Sequence, residues 1–127
     1  MIGNKIGKLG EDIAEKHLKN KGFKILHRNY WKPYGEIDII CEKGGVTHFI
    51  EVKSVSFAQN NVSYENIRPE DNVHRAKLKK LARVVEVFLS QNKYKNMDWQ
   101  FDVAIVYIDM LNKKASVKMI ENQILDA

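Results

Sequence analysis

Cysteine occurs once in this sequence, at Cys41, so no intrachain disulfide can form and the chain suits a reducing cytosol. Cys41 lies inside a run with strand patterning, which fits a packed thiol better than a reactive one. Proline is scarce too: Pro33 and Pro69 are the only two, and both fall in segments that read as connections. No apolar run is long enough to span a bilayer, and the opening Met1-Ile2-Gly3-Asn4-Lys5 lacks the apolar stretch of a secretory signal. There is no internal repeat, low-complexity tract or linker. These absences lead to the expectation of a soluble cytoplasmic protein with no membrane association.

What remains is a chain of 127 residues, 44% hydrophobic, which suits one globular domain over residues 1–127 with a single substantial core. Lys and Arg total 21 against 16 acids, for a formal charge of +5. A basic balance favours polyanionic partners, because each phosphate neutralised by Lys or Arg releases counterions.

The chain is organised around residues 35–53. Ile37, Ile39 and Cys41 alternate with Glu36, Asp38 and Ile40. Beyond Gly44-Gly45, His48, Ile50 and Val52 alternate with Phe49, Glu51 and Lys53. Period-two patterning on both sides of a Gly-Gly pair predicts a hairpin. Successive strand side chains point to opposite faces, so Glu51 and Lys53 share a face from which Val52 is turned away. With Asp38 on the matching face of the partner strand, two carboxylates and an ammonium converge. A hard divalent cation such as Mg2+ takes one or two carboxylates, with water and phosphate oxygens in the remaining positions. Asp38 and Glu51 could supply those carboxylates and the Val52 carbonyl a further oxygen. Lys53 could then orient a nucleophile or stabilise charge growing on a phosphate. A Glu-x-Lys triplet is common by chance, so the weight falls on its context: the acid on the preceding strand, the turn, and the apolar flanks.

Ahead of the hairpin, Ile6, Leu9, Ile13, His17 and Leu18 recur at helical spacing, and Gly22 supplies a stop. Glu11 sits at the edge of that stripe, where it can reach over the sheet or favour the positive end of the helix. Phe23, Ile25 and His27 predict a first strand, followed by a connection from Trp31 to Gly35. Arg28 and Lys32 with the nearby aromatics could grip nucleic acid or cap the core. Residues 54–71 read as a long polar loop, mobile without substrate. Val73, Ala76, Leu81, Val84, Val85, Phe88 and Leu89 then form a helical stripe, with Lys77 on its apolar flank aimed toward the hairpin. A buried strand from Trp99 to Tyr107 follows, then a turn at Asn112-Lys113 and a short strand from Ser116 to Ile120. Residues Glu121 to Leu125 read as a closing turn of helix.

The order helix, three strands, helix, strand, with acids on the second and third strands, resembles the PD-(D/E)XK core of restriction-endonuclease-like enzymes. It is an α/β arrangement with a central mixed sheet flanked by helices. More closely, the chain resembles the YraN family of predicted endonucleases, which are similar to archaeal Holliday junction resolvases. The likeness rests on Gly7, Gly10-Glu11, Ala14, Leu18, Gly22 and Asn29, then Gly35-Glu36-Ile37-Asp38, Phe49-Ile50-Glu51-Val52-Lys53, Val73 with Lys77, and Phe101-Asp102-Val103. It implies that Asp38 and Glu51 bind Mg2+ or Mn2+, that Lys53 serves the attacking water, and that Glu11 stands beside the metal. Glu11, Asp38, Glu51 and Lys53 are thus the expected catalytic residues, and Arg28, Lys32 and Lys77 the expected nucleic-acid contacts. The implied activity is cleavage of DNA rather than RNA, branched DNA included, by a homodimer. Family members often carry a basic residue at the position of Val55 and an Arg at that of Gln100. Both departures remove phosphate contacts. The rival expectation is a nucleic-acid-binding or scaffold protein that keeps the fold with little or no catalysis.

Overall fold

The computed structural model describes residues 2–57, 75–91, 93–94, 96–123 and 125. Two helices and five strands follow one another as α1 (Ile2–Asn20), β1 (Lys24–Lys32), β2 (Gly35–Lys43), β3 (Val46–Phe57), α2 (Arg75–Leu89), β4 (Asp98–Asp109) and β5 (Lys114–Gln123). The strands form one sheet in the order β1-β2-β3-β4-β5. Every neighbouring pair is antiparallel except β3 and β4, which run parallel. The fold is therefore α/β with a mixed sheet.

Each face of the sheet carries one helix. Ala14 and Leu18 of α1 pack on Ile39, Cys41, Ile50, Ala104, Val106 and Ile108. Leu81, Val84, Val85 and Phe88 of α2 pack on Ile37, Ile40, Phe49, Phe101, Val103 and Ile105 on the other face. Central strands covered on both faces need apolar residues at successive positions, as the unbroken buried run from Val103 to Val106 shows.

Chain reversals follow their residues. Gly22 has φ of 93° and ends α1, with Phe23 N–H donating to Leu18 O at 3.0 Å and Gly22 N–H to Lys19 O at 3.0 Å. That is the Schellman pattern, which a glycine in the left-handed region permits. Gly44 and Gly45 both have positive φ and join Lys43 to Val46 in the hairpin turn expected of them. Gly10 brings α1 close to β3: a methyl group there would overlap Ser54 Oγ and stand 3.0 Å from Ser54 Cβ.

Four expectations are corrected. The first connection is only Pro33-Tyr34, because Trp31 and Lys32 extend β1 while Gly35 opens β2. The segment expected as a loop from Ser54 begins as strand, since Ser54 to Phe57 pair with Val106 to Asp109. Its remainder, like Val73, lies outside the described residues. β5 is twice the expected length, and Glu121 to Gln123 continue it where a helical turn was expected. Finally, β2 does not alternate throughout. Ile37 and Ile40 face α2, while Ile39 and Cys41 face α1, so the strand changes face beside Asp38.

Candidate active site

The change of face has a visible cause. Pairing of β2 with β3 runs from Lys43↔Val46 to Ile39↔Ile50 and goes no further. Where the ladder stops, the Asp38 side chain takes over, with Oδ2 accepting the Val52 N–H at 2.7 Å. In an extended strand a residue's N–H and C=O point to the same edge, so the Val52 carbonyl is aimed into the same gap. Val52 packs its side chain against the α1-side core, which turns Glu51 and Lys53 to the α2 face as their spacing predicts.

Glu51 is 6% exposed and lies at the centre of the site. Its Oε1 stands 2.6 Å from Lys77 Nζ and 3.5 Å from Lys53 Nζ. Lys77 descends from α2, as expected of its place on the apolar flank, and its ammonium is bonded to Glu51. Around this trio lies a cleft of about 210 Å³ lined by Tyr34, Gly35, Glu36, Asp38, Glu51, Lys77, Lys80 and Leu81. Gly35 lets α2 approach, since a methyl group there would sit 3.2 Å from Val84 Cγ2.

The electrostatics follow from burial and crowding. Burial, then the charge of Glu51, pushes the Asp38 carboxyl up to about 7, against the opposing Val52 N–H; Glu11 and Glu36 add to the rise. Burial lowers the Lys53 pKa, and repulsion from Lys77 adds to the fall over the pull of Glu51. Burial works against the charge of Lys77, yet its bond to Glu51 raises its pKa. Asp38 and Lys53 are both moved toward neutrality, the condition for a group that must hold or release a proton.

Glu11 is not in this trio. Its Oε1 accepts from Arg28 Nη2 at 3.1 Å and from Asn29 Nδ2 at 3.0 Å. Arg28 also reaches Glu15 at 2.9 Å and Asp12 at 3.2 Å. Burial would lower the Arg28 pKa, but the bonds to Glu15, Glu11 and Asp12 raise it. The guanidinium of Arg28, expected to contact nucleic acid, faces three carboxylates of α1. Lys32 lies with Nζ 5.2 Å from the Tyr30 ring. The two departures from the family pattern also have local explanations, for Val55 is buried in the α2-side core and Gln100 Nε2 donates to Asp102 Oδ1 at 2.9 Å.

The donor set suits a hard cation. Asp38 and Glu51 each use one oxygen in the bonds above, and neither Asp38 Oδ1 nor Glu51 Oε2 has a hydrogen bond among the described residues. Two carboxylates facing one gap, beside a strand carbonyl, match what Mg2+ takes from a protein. Among the described residues no three His, Cys, Asp or Glu side chains gather as a metal-holding group, so the three-acid set of Glu11, Asp38 and Glu51 is not assembled here.

The family model described as "Uncharacterised protein family UPF0102" matches residues 10–106, a span that includes every expected site residue. The chain belongs to UPF0102. It is 35% identical over 125 residues to a UPF0102 protein of Caldicellulosiruptor saccharolyticus, covering 96% of this chain and 98% of that one. A UPF0102 protein of Campylobacter jejuni subsp. doylei is 41% identical over 105 residues, 83% of this chain and 86% of its own. One from Dictyoglomus thermophilum is 36% identical over 113 residues, covering 89% and 91%. The UPF0102 match ends at Val106 and leaves β5 outside it.

Three features of this UPF0102 chain were given no role by the sequence reading. Tyr34 lines the cleft under the Arg83 guanidinium, 4.4 Å from its ring centroid, and no local pattern links those residues. Asn29 lies between the pairs Arg28↔Ile39 and Tyr30↔Ile37, which places it across from Asp38. Asp102 is 1% exposed, with Oδ2 2.7 Å from His48 Nδ1 and Oδ1 accepting the Asn122 N–H at 3.0 Å. The signal for Asp102 was a lone acid in an otherwise apolar strand. No helix among the described residues is long and apolar enough to cross a membrane.

Proposed function

We propose that this chain is a metal-dependent endonuclease that hydrolyses phosphodiester bonds in DNA, branched DNA included, on a PD-(D/E)XK core and as a homodimer. The observation that carries the reading is the meeting of Asp38 with Glu51 at the split between β2 and β3, where burial and then the charge of Glu51 push Asp38 up to about 7. A bound divalent cation relieves that repulsion. Asp38, Glu51 and the Val52 carbonyl would hold Mg2+ or Mn2+, which supplies charge neutralisation on the phosphate and a water of lowered pKa.

The remaining work belongs to side chains of this chain. Lys53, its pKa lowered by burial and by Lys77, sits beside Glu51 where it can orient the attacking water or donate a proton to the departing oxygen. Lys77 fixes Glu51 from α2 and, with Lys80, puts positive charge along the cleft that a phosphate must enter. Tyr34 at the same cleft offers a ring face for a base.

A second reading, a nucleic-acid-binding or scaffold protein without turnover, is favoured by one observation. The 2.6 Å contact of Lys77 with Glu51 already supplies a positive partner to the carboxylate a metal would need. Pure protein incubated with four-way junction, flap and linear DNA, and with RNA, in Mg2+, Mn2+ or chelator separates the two. Cleavage of DNA that requires metal and disappears in Glu51→Gln is expected. Binding without turnover across all metals and substrates would leave the second reading standing.

A further inference from the structure

We infer that Arg28 and Asn29 are positioning residues that fix the Glu11 carboxylate on the β1 side of Asp38, outside the Asp38–Glu51 pair, so that its charge tunes a cation the pair would hold, an inference that rests on the nuclease reading above. Glu11 belongs to α1 and Asp38 to β2, and no hydrogen bond joins them directly among the described residues. What keeps the two near each other is β1. Asn29 occupies the β1 position across from Asp38, and its φ of 51° is a left-handed conformation in the middle of a strand. Asn tolerates that region better than most residues, and backbone held there recurs at functional sites. From this position Asn29 Nδ2 reaches Glu11 Oε1 at 3.0 Å, and Arg28 Nη2 joins it on the same oxygen at 3.1 Å.

Fastening α1 to the sheet does not need this arrangement. Arg28 already reaches Glu15 and Asp12 of α1, and these two bonds anchor the guanidinium so that Nη2 faces Glu11. The second donor from Asn29 falls on the oxygen Arg28 has already taken, which adds orientation more than attachment. Glu11 Oε2 has no hydrogen bond among the described residues. Glu11 is thus fixed through one oxygen with the other uncommitted, as are Asp38 and Glu51. Outer partners that orient carboxylates in this way set their affinity for a cation. Gly10, the residue before Glu11, permits the close approach of α1 to Ser54 of β3, the strand that carries Glu51.

Asn29→Gly tests this, because glycine accepts positive φ freely while the amide donor is lost. Expected are a thermal midpoint close to wild type, an Mn2+ affinity in calorimetry lower by about tenfold or more, and a lower kcat on DNA with KM unchanged. Glu11→Gln should reproduce the loss, and the double variant should fall no further than the worse single one. Asn29→Asp, which keeps the backbone preference but sets a second charge against Glu11, should fall further still. Wild-type Mn2+ affinity in Asn29→Gly, or losses that multiply in the double variant, would overturn the inference. A wild type that binds Mn2+ but cuts no DNA sinks only the nuclease reading and leaves the clamp to be judged on affinity. A wild type that binds no Mn2+ removes both.

Discussion

Lys77 of α2 closes on Glu51 of β3 with Nζ 2.6 Å from Oε1, and it is the one side chain of α2 bonded to a carboxylate of the cleft among the described residues. The contact ties the helix to the split in the sheet and fixes where the Glu51 charge points. Lys77→Met keeps the apolar stem and removes the ammonium. The folded state should lose about 1–2 kcal/mol, discounted because the Lys77 side chain is 40% exposed. Affinity for Mn2+ should rise, since a positive neighbour is gone. Urea titrations and calorimetry check both, and lower metal affinity in the variant would count against Glu51 as a metal ligand.

The pH dependence of stability should carry the signature of Asp38. Its folded pKa, about 7, lies above the ordinary aspartate value of 3.8. Below about 4 both folded and unfolded chains hold the proton, and the group costs nothing. As pH rises toward 7 the unfolded chain ionises first, so stability falls through that window, by at most a few kcal/mol. Asp38→Asn keeps an oxygen for the Val52 N–H and should abolish this fall. Melting points of both proteins between pH 4 and 8 should therefore diverge as pH rises, and parallel curves would show that Asp38 is not crowded.

Asp102 has the opposite sign. Burial would raise its pKa, but the bonds from His48, the Asn122 N–H and Gln100 hold it below the usual carboxylate value. Its contribution is present above the unfolded pKa and is lost as pH falls through the lower, folded one. Asp102→Asn should cost roughly 2–4 kcal/mol near neutrality, because the amide cannot satisfy the same three donors. The deficit should shrink in acid. Urea unfolding at pH 7 and pH 3 measures it, and an equal deficit at both would mean the loss is packing alone.

Gly10→Ala should lift α1 from the sheet, costing about 1–3 kcal/mol by overpacking. Ser54→Gly removes the atoms the new methyl would meet and should restore much of the loss in the double variant. If the double variant is as unstable as Gly10→Ala alone, the collision lies elsewhere.

The hairpin was legible because two glycines with positive φ separate alternating strands, and β4 because burial on both faces leaves a continuous apolar run. Lys77 was legible in direction, since its place on a helical stripe fixes which way it points. The face change in β2 was not, because alternation presupposes a regular backbone and the break depends on where β3 stops pairing. The anchoring of Arg28 was hidden for a related reason. Its partners Glu11, Asp12 and Glu15 lie on a preceding helix, and only the docking of that helix brings them to it. β5 was read short because most of its side chains are exposed, so no apolar rhythm marks its ends.

Parallel pairing of β3 with β4 joins Val46 to Asp98 and Phe57 to Asp109, strands brought together only by closing a long stretch of chain that includes α2. Asp38 and Glu51, by contrast, stand on the two arms of a hairpin closed by two glycines. Hairpins form in microseconds, whereas distant pairings wait on loop closure. The acidic half of the cleft therefore assembles first, and Lys77 arrives afterwards with α2. During that interval the two carboxylates have Lys53 near them but not Lys77, so refolding should speed up when cations are present to stand in for the helix.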